Sequence, residues 1–132
     1  MNWRKDIKDL DPEVINLCDS LNSIDGIETI ESCCGHEKTS FDIWFKARDI
    51  NSLYVVSRFM DNRYNGINNN TWSCVVEDVD SGKTGEDCVI FCISSGNVIG
   101  KKAYEQANIL SSEINKFLSN KKFMKMFTQK NT

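Results

Sequence analysis

Residues 26–47 read GIETIESCCGHEKTSFDIWFKA, and the closing stretch Phe41 to Ala47 decides the fold class. Phe41, Ile43, Phe45 and Ala47 alternate with Asp42, Trp44 and Lys46. That is the period of a strand with one buried face and one more polar face. Upstream, Ile27 to Cys33 has strand length but poor alternation, and it runs into a Ser32 to Lys38 loop. Before it, Asp11-Pro12-Glu13 starts a helix, cap then proline, and Val14, Leu17, Cys18, Leu21 and Ile24 follow at helical spacing until Asp25-Gly26 stops it.

Working downstream, Asp49 caps a second helix to about Asp61, with Ile50, Leu53, Val56, Ser57 and Met60 expected nearest the core. Residues 62–70, with Asn65-Gly66 and an Asn run, form a polar connection. Strands are expected at Trp72 to Val79 and Cys88 to Ser94, around the turn formers of residues 80–85. Cys88-Val-Ile-Phe-Cys-Ile is apolar on both faces, so it belongs in the middle of a sheet. A last helix over 100–119 places Ala103, Ala107, Leu110, Ile114, Phe117 and Leu118 on one face, with Lys, Gln, Asn and Ser opposite. The order α-β-β-α-β-β-α predicts one α+β domain over 1–132: two layers, a four-stranded antiparallel or mixed sheet, helices on one face.

Composition narrows the classes of function. The chain has 132 residues, 40% apolar and 27% charged, with one Pro and seven Gly, as an ordinary globular domain does. No apolar run approaches a membrane span, and Met1 to Leu10 carries charges where a secretory signal would be apolar. A cytoplasmic protein is expected, with no membrane partner. The net charge of −3 conceals a basic end, since residues 101–132 hold seven Lys against two Glu. A basic end can touch phosphates or an acidic partner, but lysines late in a helix also complement its dipole, and that is the expected reading over a nucleic-acid footprint.

Six cysteines in a chain without a signal peptide predict thiols rather than disulfides. Cys18 on a helix stripe and Cys74 in a strand read as small buried hydrophobes. Cys88 and Cys92 resemble a metal pair, but four residues of strand separate them by about 13 Å, too far for one ion.

The chemistry concentrates in Ser32-Cys33-Cys34-Gly35-His36, which holds the only histidine. Three functions fit it, beside a plain tight turn. Cys34 and His36 can form a thiol–imidazole pair if the chain is extended. A metal site would want four ligands, of which the loop offers at most three; Glu31, Glu37 or Asp42 would have to complete it, and stoichiometric zinc is not expected. Ser32, the amides near Gly35 and Lys38 can form a nest for a phosphate or carboxylate. The site assigned from sequence is therefore ligand-binding, comprising Ser32, Cys33, Cys34, Gly35, His36 and Lys38, with no metal, cofactor or reaction assigned.

The stretch Gly26 to His36, with its following Phe41 to Phe45 strand, resembles a family of small uncharacterised bacterial and phage proteins sharing a Ser-Cys-Cys-Gly-His core. More distantly, Thr29 with Ser32 to His36 is similar to the Ser-Cys-Ser-Gly-Arg loop of the methyltransferase family of wybutosine synthesis on tRNA. Cys34 stands where that family has Ser, and His36 where it has Arg. An imidazole lacks the fixed anion-binding fork of Arg, so the resemblance implies a ligand-binding loop rather than methyl transfer. A small-molecule or nucleic-acid-derived ligand is the expected partner.

Elsewhere, Gly96 to Lys102 lacks the glycine spacing and the hydroxyl of a phosphate loop, and Ser94, Ser95 and Asn97 read as helix caps. Arg58, Arg63 and Tyr64 suit either a ligand or a solvated helix end. Trp44 on the polar face of its strand suggests a homo-oligomer or protein partner through that sheet face, or a stacking platform. The alternative function is that of a non-catalytic accessory protein.

Overall fold

The computed structural model describes residues 11–67, 71–81 and 87–120. The Asn run at 68–70, the turn at 82–86, the first ten residues and the lysines beyond 120 lie outside the described residues, as does the side chain of Cys88. Among the described residues the elements are α1 (Pro12–Asn22), β1 (Ile27–Cys33), β2 (Ser40–Ala47), α2 (Ile50–Arg58), β3 (Ser73–Ser81), β4 (Asp87–Ile99) and α3 (Gly100–Ser119), with a 3-10 turn at Gly35–Glu37. The four strands form one antiparallel sheet in the order β1-β2-β4-β3. The α+β order is the one expected, and the sheet is antiparallel rather than mixed.

Strand β2 is the spine. Phe41, Ile43 and Phe45 are fully buried on the face that packs against helices, where Ile43 aligns with Ile93 and Phe45 with Phe91 of β4. Val14, Leu17 and Leu21 of α1, Val55 and Val56 of α2, and Ala103, Ala107, Leu110 and Ile114 of α3 close over this face in one core. Helices α1 and α3 approach closely enough for the Ser20 and Ser111 hydroxyls to bond at 2.6 Å. Gln106 is buried too, accepting the indole N–H of Trp72 at 2.8 Å, so the polar side chains of α3 do not all face solvent.

Three expectations are corrected. Helix α2 ends at Arg58; Ile50 and Ser57 are exposed, and Val55 takes the core position beside Val56. Strand β4 continues to Ile99, so Ser94, Ser95 and Asn97 lie in it and cap nothing; the N-cap of α3 is Ile99, without a side-chain cap bond. The physical reason is Ser95, whose buried hydroxyl accepts the Phe41 amide at 2.9 Å and donates to the Val98 carbonyl at 2.7 Å, tying an irregular stretch back to β2. The poor alternation of β1 has a cause as well. A bulge between Thr29 and Glu31 shifts the register, so that Ser32 aligns with the core residue Ile43 and Cys33 with Asp42.

Candidate functional site

The site forms where β1 ends. Past the bulge the chain turns through Cys34 into Gly35, His36 and Glu37, three consecutive residues at positive φ of 83°, 50° and 66°. Gly35 suits this conformation, whereas an L side chain there costs roughly 1–2 kcal/mol per residue. His36 and Glu37 hold it nonetheless, backbone strain of the kind that clusters at ligand sites.

The turn consumes its own amides. Gly35 N–H donates to Cys33 Sγ at 3.4 Å, His36 N–H to Cys34 Sγ at 3.4 Å, and Lys38 and Thr39 N–H to the Gly35 carbonyl. Cys34 N–H donates to Asp11 Oδ2 at 3.1 Å. These N–H groups are already bonded within the protein, so they form no nest for an external phosphate or carboxylate. What the turn offers outward is sulfur, imidazole and carboxylate, all electron-pair donors.

Asp11, which precedes α1, holds the sequence position of a helix cap. Its side chain makes no cap bond to that helix; it reaches across to the turn instead. His36 Nε2 lies 3.8 Å from Asp11 Oδ2, and His36 Nδ1 lies 3.8 Å from Cys34 Sγ. Donor atoms of Asp11, Cys33 and His36 all fall within 4.8 Å of one another. The imidazole is 67% exposed, the Asp11 side chain 28%. Tyr104 of α3 adds a fifth group, its hydroxyl 3.7 Å from Cys34 Sγ. The cluster is thus assembled from the start of α1, the β1–β2 turn and α3.

Burial separates the two thiols. Burial raises the Cys34 thiol above its ordinary value and outweighs the lowering by the His36 amide, while Asp11 adds to the rise. Cys34 is only 3% exposed, so it is poorly placed as a resting nucleophile. Cys33 is half-buried. Partial burial and the Cys34 thiol push Tyr104 up to about 12. Burial alone would raise Asp11, but the Cys34 amide and thiol and the charge of His36 prevail and hold its carboxyl below the usual range. A carboxylate so held stays ionised and ready to pair with a cation.

Of the residues assigned from sequence, Cys33, Cys34, Gly35 and His36 come together. Ser32 is half-buried and aligns with the core residue Ile43, so it turns inward, away from the cluster. Lys38 is exposed at the end of the turn. Cys18, Cys33, Cys34, Cys74 and Cys92 are free thiols. Away from the site, the Arg58 guanidinium lies over the Tyr64 ring at 4.0 Å and Arg63 pairs with Asp61 at 2.6 Å. An open groove of about 750 Å³, lined by Ile27, Ala47, Ile50, Leu53 and Phe91, lies at the opposite end of β1 and β2.

No protein-family model matches the chain, and comparison with curated proteins and with solved structures finds no match.

Proposed function

We propose that the chain is a binding protein whose small or nucleic-acid-derived ligand docks at the mouth formed by Asp11, Cys33, Cys34 and His36. One observation supports this reading above the others. Side chains from separate elements converge on an exposed imidazole that the backbone holds in a left-handed conformation. A turn needed only to join β1 to β2 would not require His36 or Glu37 to hold that conformation, because glycine adopts it without strain. The resemblance to the Ser-Cys-Cys-Gly-His proteins points to the same loop.

The test is a melting-temperature panel of metabolites, nucleotides and metal ions on the wild-type chain and on His36→Ala. Because the imidazole is largely exposed, His36→Ala is expected to change stability by less than about 0.5 kcal/mol while erasing the shift given by any ligand that binds. A loss of about 1–3 kcal/mol with ligand shifts intact would identify a structural histidine and reject the reading.

A second reading rests on the sheet face away from the helices. There Trp44 is half-buried in line with Cys92 and with Val75, which is 47% exposed. An apolar row of this kind suits a protein partner or a second copy of the chain. Sedimentation of the wild-type chain and of Trp44→Ser tests the second copy: a dimer lost on substitution supports it, and a monomer at every concentration opposes it.

A further inference from the structure

We infer that the ligand bound at this site is a divalent transition-metal ion of the zinc class, held by Asp11 through a carboxylate oxygen, by Cys33 through sulfur and by His36 through a ring nitrogen. The inference rests on the ligand-binding reading above and names the ligand's chemistry. The loop by itself is short of ligands for zinc. The fold supplies one from outside the loop, and it is Asp11 rather than Glu31, Glu37 or Asp42.

The donor set is the first argument. Thiolate, imidazole and carboxylate together suit zinc, cobalt or iron(II), whereas magnesium and calcium prefer oxygen alone. Zinc bonds of about 2.0–2.3 Å at tetrahedral angles place neighbouring donors about 3.5 Å apart. The 3.8 Å between His36 Nε2 and Asp11 Oδ2 is already close to that, and the 4.8 Å limit on the whole group leaves about 1 Å of closure.

The surroundings of each donor are the second argument. Metal ligands are normally oriented by a hydrogen bond from behind. Here Cys33 Sγ receives the Gly35 amide, Asp11 Oδ2 receives the Cys34 amide, and His36 Nδ1 faces Cys34 Sγ while Nε2 faces Asp11. Each of the three candidate ligands is therefore backed by a second group. The left-handed backbone at His36 sets where the imidazole stands. On binding, Cys33 loses its thiol proton to solvent and the metal–sulfur bond takes its place. Three protein ligands leave a fourth position for water or a small molecule, the arrangement of open rather than structural zinc sites.

The experiment is titration of the reduced, metal-free chain with Co²⁺, read by visible d–d bands and the near-ultraviolet sulfur-to-cobalt band, followed by displacement with Zn²⁺. One equivalent is expected to give tetrahedral bands that zinc bleaches. Cys33→Ser should abolish the sulfur band, and Asp11→Asn and His36→Ala should each weaken binding at least tenfold. Cys34→Ser should keep the sulfur band. An undiminished sulfur band in Cys33→Ser, or no cobalt bands in the wild-type chain, would overturn the inference. If cobalt does not bind but a panel compound still gives a His36-dependent melting shift, the metal assignment fails and the site stands. If neither is seen, both fail.

Discussion

Gly35→Ala is expected to destabilise the chain by about 2–4 kcal/mol, read as a lower urea midpoint at unchanged slope. Two penalties add. The φ of +83° is one that an L residue adopts at a cost, and a Cβ built there would sit 2.6 Å from the backbone carbonyl oxygen of Ser40, the first residue of β2. That carbonyl cannot swing aside without disturbing the strand, and the turn's own bonds from Lys38 and Thr39 end on Gly35. Gly100 is the internal control. Its φ is +66°, yet an added Cβ would meet nothing nearer than 3.9 Å, so Gly100→Ala should cost only the backbone strain of about 1–2 kcal/mol. Equal losses in the two variants would show that the turn is not packed against β2 as described.

Phe45→Ala should cost about 3–5 kcal/mol, the range for emptying a large aromatic site in a core. Phe45 is fully buried, stacks on Phe91 with ring centroids 5.6 Å apart, and aligns with Thr29 of β1 across the sheet. Its loss leaves a void at the centre of the β1-β2-β4 layer, beneath the helices. The neighbouring Lys46→Ala, on the other face, should cost less than about 1 kcal/mol. Thermal or urea unfolding of the pair measures the alternation directly, and a Lys46 variant as damaging as the Phe45 variant would mean that the register is wrong.

That alternation was legible because β2 is a regular strand covered on one side only, so period two appears in its residues. Helix α3 was legible to its ends for a similar reason: its buried stripe from Ala103 to Ile114 keeps helical spacing without interruption. The misreadings have local causes. A bulge in β1 shifts the parity of its second half, which blurs any pattern and turns Ser32 inward, away from the site to which its position in the loop had assigned it. In β4 the Ser95 hydroxyl carries backbone bonds that a helix cap would otherwise explain, so its role depends on Phe41, 54 residues away. The site was legible only in part. The Cys33 to His36 motif drew attention by composition, but its conformation at His36 has no sequence signal, since histidine rarely adopts it. Asp11 lies 23 residues before Cys34, and an Asp before a proline is accounted for by helix capping; only the fold shows that its carboxylate faces the turn instead.

On the proposed function, His36 occupies a strained position for the sake of what its side chain binds. Glycine at 36 would relieve the left-handed strain, offset in part by its greater freedom in the unfolded chain. His36→Gly is therefore expected to raise stability by about 0.5–1 kcal/mol and at the same time to lose binding, the exchange of stability for function seen at ligand sites. The direct measurement is the urea midpoint of wild-type and His36→Gly chains, each with and without Co²⁺ or whichever panel compound stabilises the wild-type chain. A higher midpoint is expected for the ligand-free variant, with no response to ligand. A lower midpoint together with an undiminished ligand response would contradict it, because His36 would then hold the turn together and bind nothing.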